Sequence, residues 1–178
     1  MASIQPLPDR WLISDQRNDH VLERALDRLP RGSGFIYRHY HLSDAERVAR
    51  YFALRSRARA RGHVVILADS ALTALEWGAD GIYGAPLSLY PRRDLLTLAT
   101  VHSMREIAQA NRIGADLALL SPAFATNSHP GAASLGPLRF RMLARYAQMP
   151  VIALGGMDRR NASRLGWTRW AAIEGLSF

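Results

Sequence analysis

Cysteine and lysine are both missing from the 178 residues. Without cysteine there can be no disulfide, no thiolate nucleophile and no thiolate-held metal. Without lysine no Schiff base can form on the chain, which excludes a lysine-dependent aldolase. All 23 basic residues are therefore arginine. Acidic residues are fewer, 15 against those 23, and the net charge of +8 suits acidic ligands or nucleic acid. Long apolar runs are missing too: none approaches the ~20 residues of a membrane helix. The N-terminal MASIQPLPDRW has no basic segment followed by an apolar one, so it does not read as a secretory signal. A cytoplasmic protein without a membrane partner is expected.

The arginines do not form a binding stripe. Their densest run, Arg55 to Arg61, ends a predicted helix just before Gly62, where cations suit the negative end of the helix dipole. No nucleic-acid motif accompanies it, and no nucleic-acid partner is expected; a nucleic-acid role would rest on charge alone.

Short apolar runs alternate with amphipathic segments along the chain. Strands are predicted at Trp11–Asp15, Phe35–Leu42, His63–Asp69, Asp80–Gly84, Leu95–Val101, Asp116–Leu120, Pro150–Leu154 and Trp170–Ile173. Between them fall helical patterns over His20–Leu29, Ser43–Arg61, Ala71–Trp77, Ser103–Gly114, Gly136–Gln148 and Asp158–Leu165, with an irregular stretch from Pro86 to Asp94. Ser43 with Glu46, and Ser103 with Glu106, fit capping boxes. Gly78-Ala79-Asp80, Gly114-Ala115-Asp116 and Gly166-Trp167-Thr168 echo one another at helix-to-strand passages. Eight strands alternating with helical segments predict an α/β fold, a parallel (β/α)₈ TIM barrel over residues 1–178 as one domain. The chain is shorter than the ~200–250 residues usual for that barrel, and no final helix is expected. A doubly wound open sheet satisfies the same alternation. If the last helix is missing, apolar wall at Trp167 or Trp170 is exposed, and a homodimer or the N-terminal segment is expected to cover it.

One loop carries more polar chemistry than a turn needs. The apolar run Asp116–Leu120 leads into SPAFATNSHPG, residues 121–131, which supplies Thr126, Asn127, Ser128, His129 and Gly131. In a barrel of this kind the loops after the strands form the active face, and phosphate usually binds after strands seven and eight. Gly155-Gly156 follows the seventh predicted strand, and glycines let an anion approach backbone N–H groups closely. A helix starting at Asp158 adds its positive end. A tight turn is the alternative role for that glycine pair.

Taken together, Thr100-Val101-His102-Ser103, Ile113-Gly114-Ala115-Asp116, SPAFATNSHPG, Leu135-Gly136 and Pro150 to Gly156 resemble the thiamine phosphate synthase and thiazole tautomerase superfamily in order and spacing. The likeness continues more faintly through Leu67-Ala68-Asp69 and Ala79 to Ile82, back to Leu12-Ile13-Ser14-Asp15. The resemblance implies joining of an aminopyrimidine diphosphate to a thiazole phosphate, with diphosphate released and Mg²⁺ assisting. It implies that Arg38 meets the pyrimidine diphosphate, that Asp69 binds magnesium, and that Thr100 lies near the diphosphate. Thr126 and Ser128 would hold the thiazole phosphate, with Gly155 and Gly156 beneath it, and His129 would take the place of a loop lysine facing the diphosphate. With Arg38 it forms the implied catalytic pair.

The departures from the pattern are equally specific. Tyr40 stands where the family has a strand-two lysine, Ala68 where an asparagine precedes the metal aspartate, and Leu87 where a second metal aspartate belongs. Pro122 replaces the tautomerase histidine. Glu174-Gly175 falls where the family has a small hydroxyl residue beside phosphate. An anionic Glu174 there would repel phosphate by roughly 4 kcal/mol at ~4 Å in an intermediate dielectric.

Each candidate has a plainer role beside the functional one. Asp69 could only cap the following helix, His129 could be an exposed loop histidine, and His102 could serve a turn. His39 and His41, on one face of the predicted strand, would pack outward against helices. Arg38 is the residue that a barrel strand can least hide unpaired. Two functions remain open: a thiamine phosphate synthase-like transferase, or a catalytically impaired or repurposed relative that binds a phosphorylated thiazole or similar small molecule.

Overall fold

In the computed structural model, residues 7–89, 94–126 and 133–176 are described. Eight strands are present: β1 Arg10–Ile13, β2 Gly34–Tyr37, β3 Val64–Leu67, β4 Gly81–Gly84, β5 Leu96–Val101, β6 Leu117–Leu120, β7 Val151–Ala153 and β8 Trp170–Ala172. They pair in chain order, all parallel, and β8 closes onto β1 through Arg10 opposite Trp170. Closure decides for the TIM barrel over the open sheet. The α-helices among the described residues are α1 Leu22–Arg28, α2 Asp44–Ala60, α3 Ala71–Glu76, α4 Met104–Ile113, α5 Gly136–Ala144 and α6 Arg159–Leu165. After β4 a 3₁₀ turn, Pro86–Ser88, stands in the irregular stretch, and a 3₁₀ helix, Gln16–Val21, precedes α1.

Strands covered on both sides read as continuous apolar runs. Trp11, Ile13, Ile36, Ile66, Leu119 and Ile152 fill the barrel interior, each contributing about 1.5–3 kcal/mol by leaving water. Gly34 makes room for the indole: a Cβ there would lie 2.0 Å from the Trp11 ring. The opposite strand faces pack against the helices. The Ser43–Glu46 capping box forms, with Glu46 accepting from Ser43 N at 3.1 Å. At α4 only half of the expected box forms: Ser103 Oγ accepts from Glu106 N at 3.3 Å, while Glu106 accepts from His102 N, one residue before the cap, at 2.7 Å.

Two further expectations need correction. β2 stops at Tyr37 rather than continuing to Leu42. Side-chain bonds take over from the ladder: Arg38 N donates to Ser14 Oγ at 2.8 Å, and His39, turned to φ +43°, sits buried between Ser14 Oγ at 2.9 Å and Asp19 Oδ1 at 2.7 Å. His39 and His41 are therefore not strand residues, although His39 still packs outward, stacked on Tyr37 and bonded to Asp19 of the 3₁₀ helix; His41 and Tyr40 are exposed. The second correction concerns Trp170, which is buried under the guanidinium of Arg10 rather than exposed. Trp167 is half-buried and donates to the Val151 carbonyl at 2.9 Å. Residues 7–9 help close this end, with Pro8 O accepting from Trp11 Nε1 at 2.8 Å and Asp9 O from Trp170 N at 3.0 Å.

The arginine run ending α2 is tied into the fold. Arg55 and Arg59 both donate to the Gly78 carbonyl, and Arg57 pairs with Asp27. No helix among the described residues is long and apolar enough to cross a membrane.

Candidate functional site

Parallel strands deliver their C-terminal residues to one mouth. Arg38 follows β2, Asp69 follows β3, Thr100 is the penultimate residue of β5, Thr126 follows β6, Gly155 and Gly156 follow β7, and Glu174 follows β8. Two cavities open there. The larger, about 380 Å³, is lined by Arg38, Tyr83, Thr100, His102 and Thr126, among others. The smaller, about 150 Å³, is lined by Arg17, Thr126, Gly155, Gly156, Glu174 and Gly175. Thr126 belongs to both.

The smaller cavity is a glycine cradle. Gly155 and Gly156 have φ of +94° and +60°, a region that side-chain-bearing residues avoid. A Cβ on Gly155 would meet Pro122 Cα at 2.7 Å, and one on Gly156 would meet Ala125 O at 2.3 Å. Gly175 is equally confined: a Cβ there would lie 2.1 Å from Met157 O. The expected help from the helix behind this turn is absent. α6 has only 7 residues, and Asp158 already caps it by accepting from Asn161 N at 2.7 Å.

Arginine enters from the first loop, where sequence reasoning placed no site residue. Arg17 lies in the 3₁₀ helix after β1, its Nε 2.8 Å from Asp15 Oδ1 and its Nη1 3.8 Å from Glu174 Oε1. Arg38 reaches the same aspartate through Oδ2 at 2.9 Å and also donates to the Ser14 carbonyl. Burial alone would raise the Asp15 pKa, but the hydrogen bonds from Arg17 and the charges of both arginines bring it below the ordinary carboxylate value. Burial pushes the Tyr83 hydroxyl the other way, so it stays a neutral phenol in the larger cavity. The polar run Ser14-Asp15-Gln16-Arg17, directly after a buried strand, was the available signal for this part of the site.

Asp69 lines neither cavity. Its Oδ2 accepts from Arg47 Nη1 at 2.6 Å, and its Oδ1 accepts from Ser70 N at 2.7 Å. Arg47 is held further by the carbonyls of Arg38 and Ala68. Leu87, at the place of a second metal carboxylate, is exposed and supplies no oxygen ligand. Among the described residues no three His, Cys, Asp or Glu side chains gather as a metal site. These residues do not fit a magnesium ion. Ser128 and His129 lie outside the described residues.

Residues 11–175 match the family described as thiamine monophosphate synthase. The chain belongs to that family. A thiamine-phosphate synthase of Chloroflexus aurantiacus is 31% identical over 134 residues, 71% of this chain and 62% of that protein. A putative thiamine-phosphate synthase 2 of Aquifex aeolicus is 26% identical over 160 residues, 85% of this chain and 86% of its own. The chain spans less than half of another such relative, 48% of the thiamine-phosphate synthase of Thermosynechococcus vestitus. Among solved structures, the thiamine phosphate pyrophosphorylase from Pyrococcus furiosus superposes with a TM-score of 0.77 at 22% identity, covering 93% of this chain and 85% of that one. That likeness speaks for the barrel.

Proposed function

We propose that the protein is a thiamine phosphate synthase-like transferase of thiamine biosynthesis, joining an aminopyrimidine diphosphate to a thiazole phosphate. The observation that carries this is the pair of cavities sharing Thr126, one floored by two glycines and the other lined by Arg38. The thiazole phosphate takes the cradle, where Thr126 and the glycine N–H groups meet its oxygens. Ser128 is assigned to the same phosphate by family position. The aminopyrimidine lies in the larger cavity with its diphosphate toward Arg38, Thr100 and, by the same family assignment, His129. The C–O bond to the diphosphate breaks with both electrons leaving on oxygen, and the thiazole nitrogen supplies the pair for the new C–N bond. Arg38 offsets the charge that accumulates on the departing group. Asp69, engaged by Arg47, is not assigned to magnesium in this reading.

The engagement of Asp69, and Tyr40 in place of the family lysine, favour a second reading: a relative that binds the phosphorylated thiazole without joining it. A homodimer stays part of the proposal, now resting on Leu138, Met142 and Tyr146, an exposed apolar series on and just after α5. One experiment separates the two readings. The protein is incubated with both substrates, with and without Mg²⁺, and thiamine phosphate is sought by mass spectrometry. Product supports the transferase; tight binding of thiazole phosphate without product supports the binder.

A further inference from the structure

We infer that the glycine cradle selects a phosphate that still carries a proton, with Arg17 facing its negative charge and Glu174 accepting the hydrogen bond from its P–OH. The inference rests on the assignment of the phosphate to the cradle and adds which form of it is bound.

Among the described residues, Arg17 and Glu174 are the charged side chains lining the cavity, with Asp15 behind Arg17. Arg17 and Glu174 both line it, 3.8 Å apart, too far for a hydrogen bond between them. Asp15 holds Arg17 from behind at 2.8 Å and offsets much of its charge. Asp15 is shared with Arg38, which lines the other cavity, so two guanidiniums meet two carboxylates and the cluster has no positive surplus. A cradle for a dianion would carry such a surplus.

A carboxylate can only accept hydrogen bonds. Opposite a fully deprotonated oxyanion, Glu174 faces lone pairs and repels. Opposite a singly protonated phosphate ester, it meets a donor, and the bond is of the strong charge-assisted kind. Arg17, Thr126 and the backbone of Gly155 and Gly156 then serve the remaining oxygens. The other charged groups on elements around Glu174 do not change this balance. Asp158, packed beneath Gly175, has its carboxylate on Asn161 N, and Arg159 and Arg160 follow it on the exposed side of α6. His129 belongs to the loop outside the described residues, and its titration would act on any anion alike.

Methyl phosphate and methyl sulfate isolate the effect. At pH 5 both are monoanions of the same shape, and only the phosphate keeps an O–H. Isothermal titration calorimetry on the intact protein should find methyl phosphate bound about 10-fold or more tighter, the worth of one hydrogen bond to a charged group. That preference should fade as pH rises through about 6, where a phosphate monoester loses its second proton. Glu174→Gln should abolish the preference, whereas Arg17→Gln should weaken both esters together. Equal binding of the two esters at pH 5, or phosphate affinity that rises with pH, would overturn the inference and leave the phosphate assignment standing. Failure of both esters to bind would also overturn it, and a titration with thiazole phosphate would then show whether the assignment falls with it.

Discussion

The two oxygens of Asp15 hold two different arginines: Oδ1 accepts from Arg17 Nε at 2.8 Å and Oδ2 from Arg38 Nη2 at 2.9 Å. Arg17 lines the glycine cradle and Arg38 the larger cavity, so one carboxylate fixes a cation in each. Its removal alters both halves of the mouth at once. Losing a negative charge favours anions in general, but a guanidinium without its acceptor turns toward solvent and is no longer aimed. Aim outweighs charge here, because both arginines are only partly exposed and carry specific hydrogen bonds.

Asp15→Asn is therefore expected to weaken thiazole phosphate and aminopyrimidine diphosphate together, each by about 10-fold, the loss of one charge-assisted hydrogen bond. Calorimetric titration with each ligand checks this. A loss confined to one ligand would show that Asp15 serves only one of the arginines.

At the cradle the expected effect is steric. Gly156→Ala places a methyl group 2.3 Å from the Ala125 carbonyl at φ +60°. The left-handed conformation alone costs about 1–2 kcal/mol, and the clash adds to it. Denaturant unfolding should show at least that destabilisation, and thiazole phosphate should bind no better than its unphosphorylated alcohol. A variant with unchanged stability and an intact preference for the phosphate would place the anion elsewhere.

Much of this arrangement was legible in the sequence, for a physical reason. Parallel strands buried on both faces leave unmistakable apolar runs, and each capping residue marks where a helix begins. The order of strands then places Thr100, Thr126 and Gly155 at one mouth without further information. Long-range pairing was not legible. Arg47 meets Asp69 across 22 positions of sequence, and Asn18 anchors the first loop to the Ile173 carbonyl across 155. The early end of β2 was hidden for the same reason: Phe35 to Leu42 has a strand's composition, but Ser14 and Asp19, supplied by another loop, capture Arg38 and His39. Arg17 is one of 23 basic residues, and only its place in the polar run after the first strand sets it apart until the barrel closes.

The Arg47–Asp69 pair gives a prediction about magnesium. Both side chains are mostly buried, at 12% and 30% exposure. Asp69→Asn leaves the guanidinium poorly matched and should destabilise the protein by about 1–3 kcal/mol. Millimolar Mg²⁺ alone should leave the unfolding temperature of the unmodified protein unchanged. A rise with Mg²⁺ that Asp69→Asn removes would show that Arg47 yields to the metal, and would restore Asp69 as a ligand.

Two buried histidines shape the pH dependence of stability. His39 lies between Ser14 and Asp19, stacked on Tyr37, with Arg50 and His41 also facing it. Burial lowers its pKa, and the hydrogen bond with Asp19 only partly offsets this. His63, bonded through Nε2 to the Leu26 carbonyl, is lowered mainly by burial as well, with Arg31, Arg61 and Asp27 nearby. A folded-state pKa below the unfolded one means that the native protein binds fewer protons between the two values. Stability in that window therefore rises with pH. It is fully present above the unfolded histidine value of about 6.5 and is lost as pH falls from there toward the folded values. Asp15, Asp19 and Asp69 are also lowered, so their contribution persists until pH drops below about 4. Scanning calorimetry from pH 7.5 down to 3 should thus show two separate declines in unfolding temperature. The double variant His39→Asn, His63→Gln should flatten the first and keep the second, with asparagine chosen because it tolerates the positive φ at position 39. An unmodified protein equally stable at pH 7.5 and 5.5 would mean that neither imidazole is held neutral by its burial.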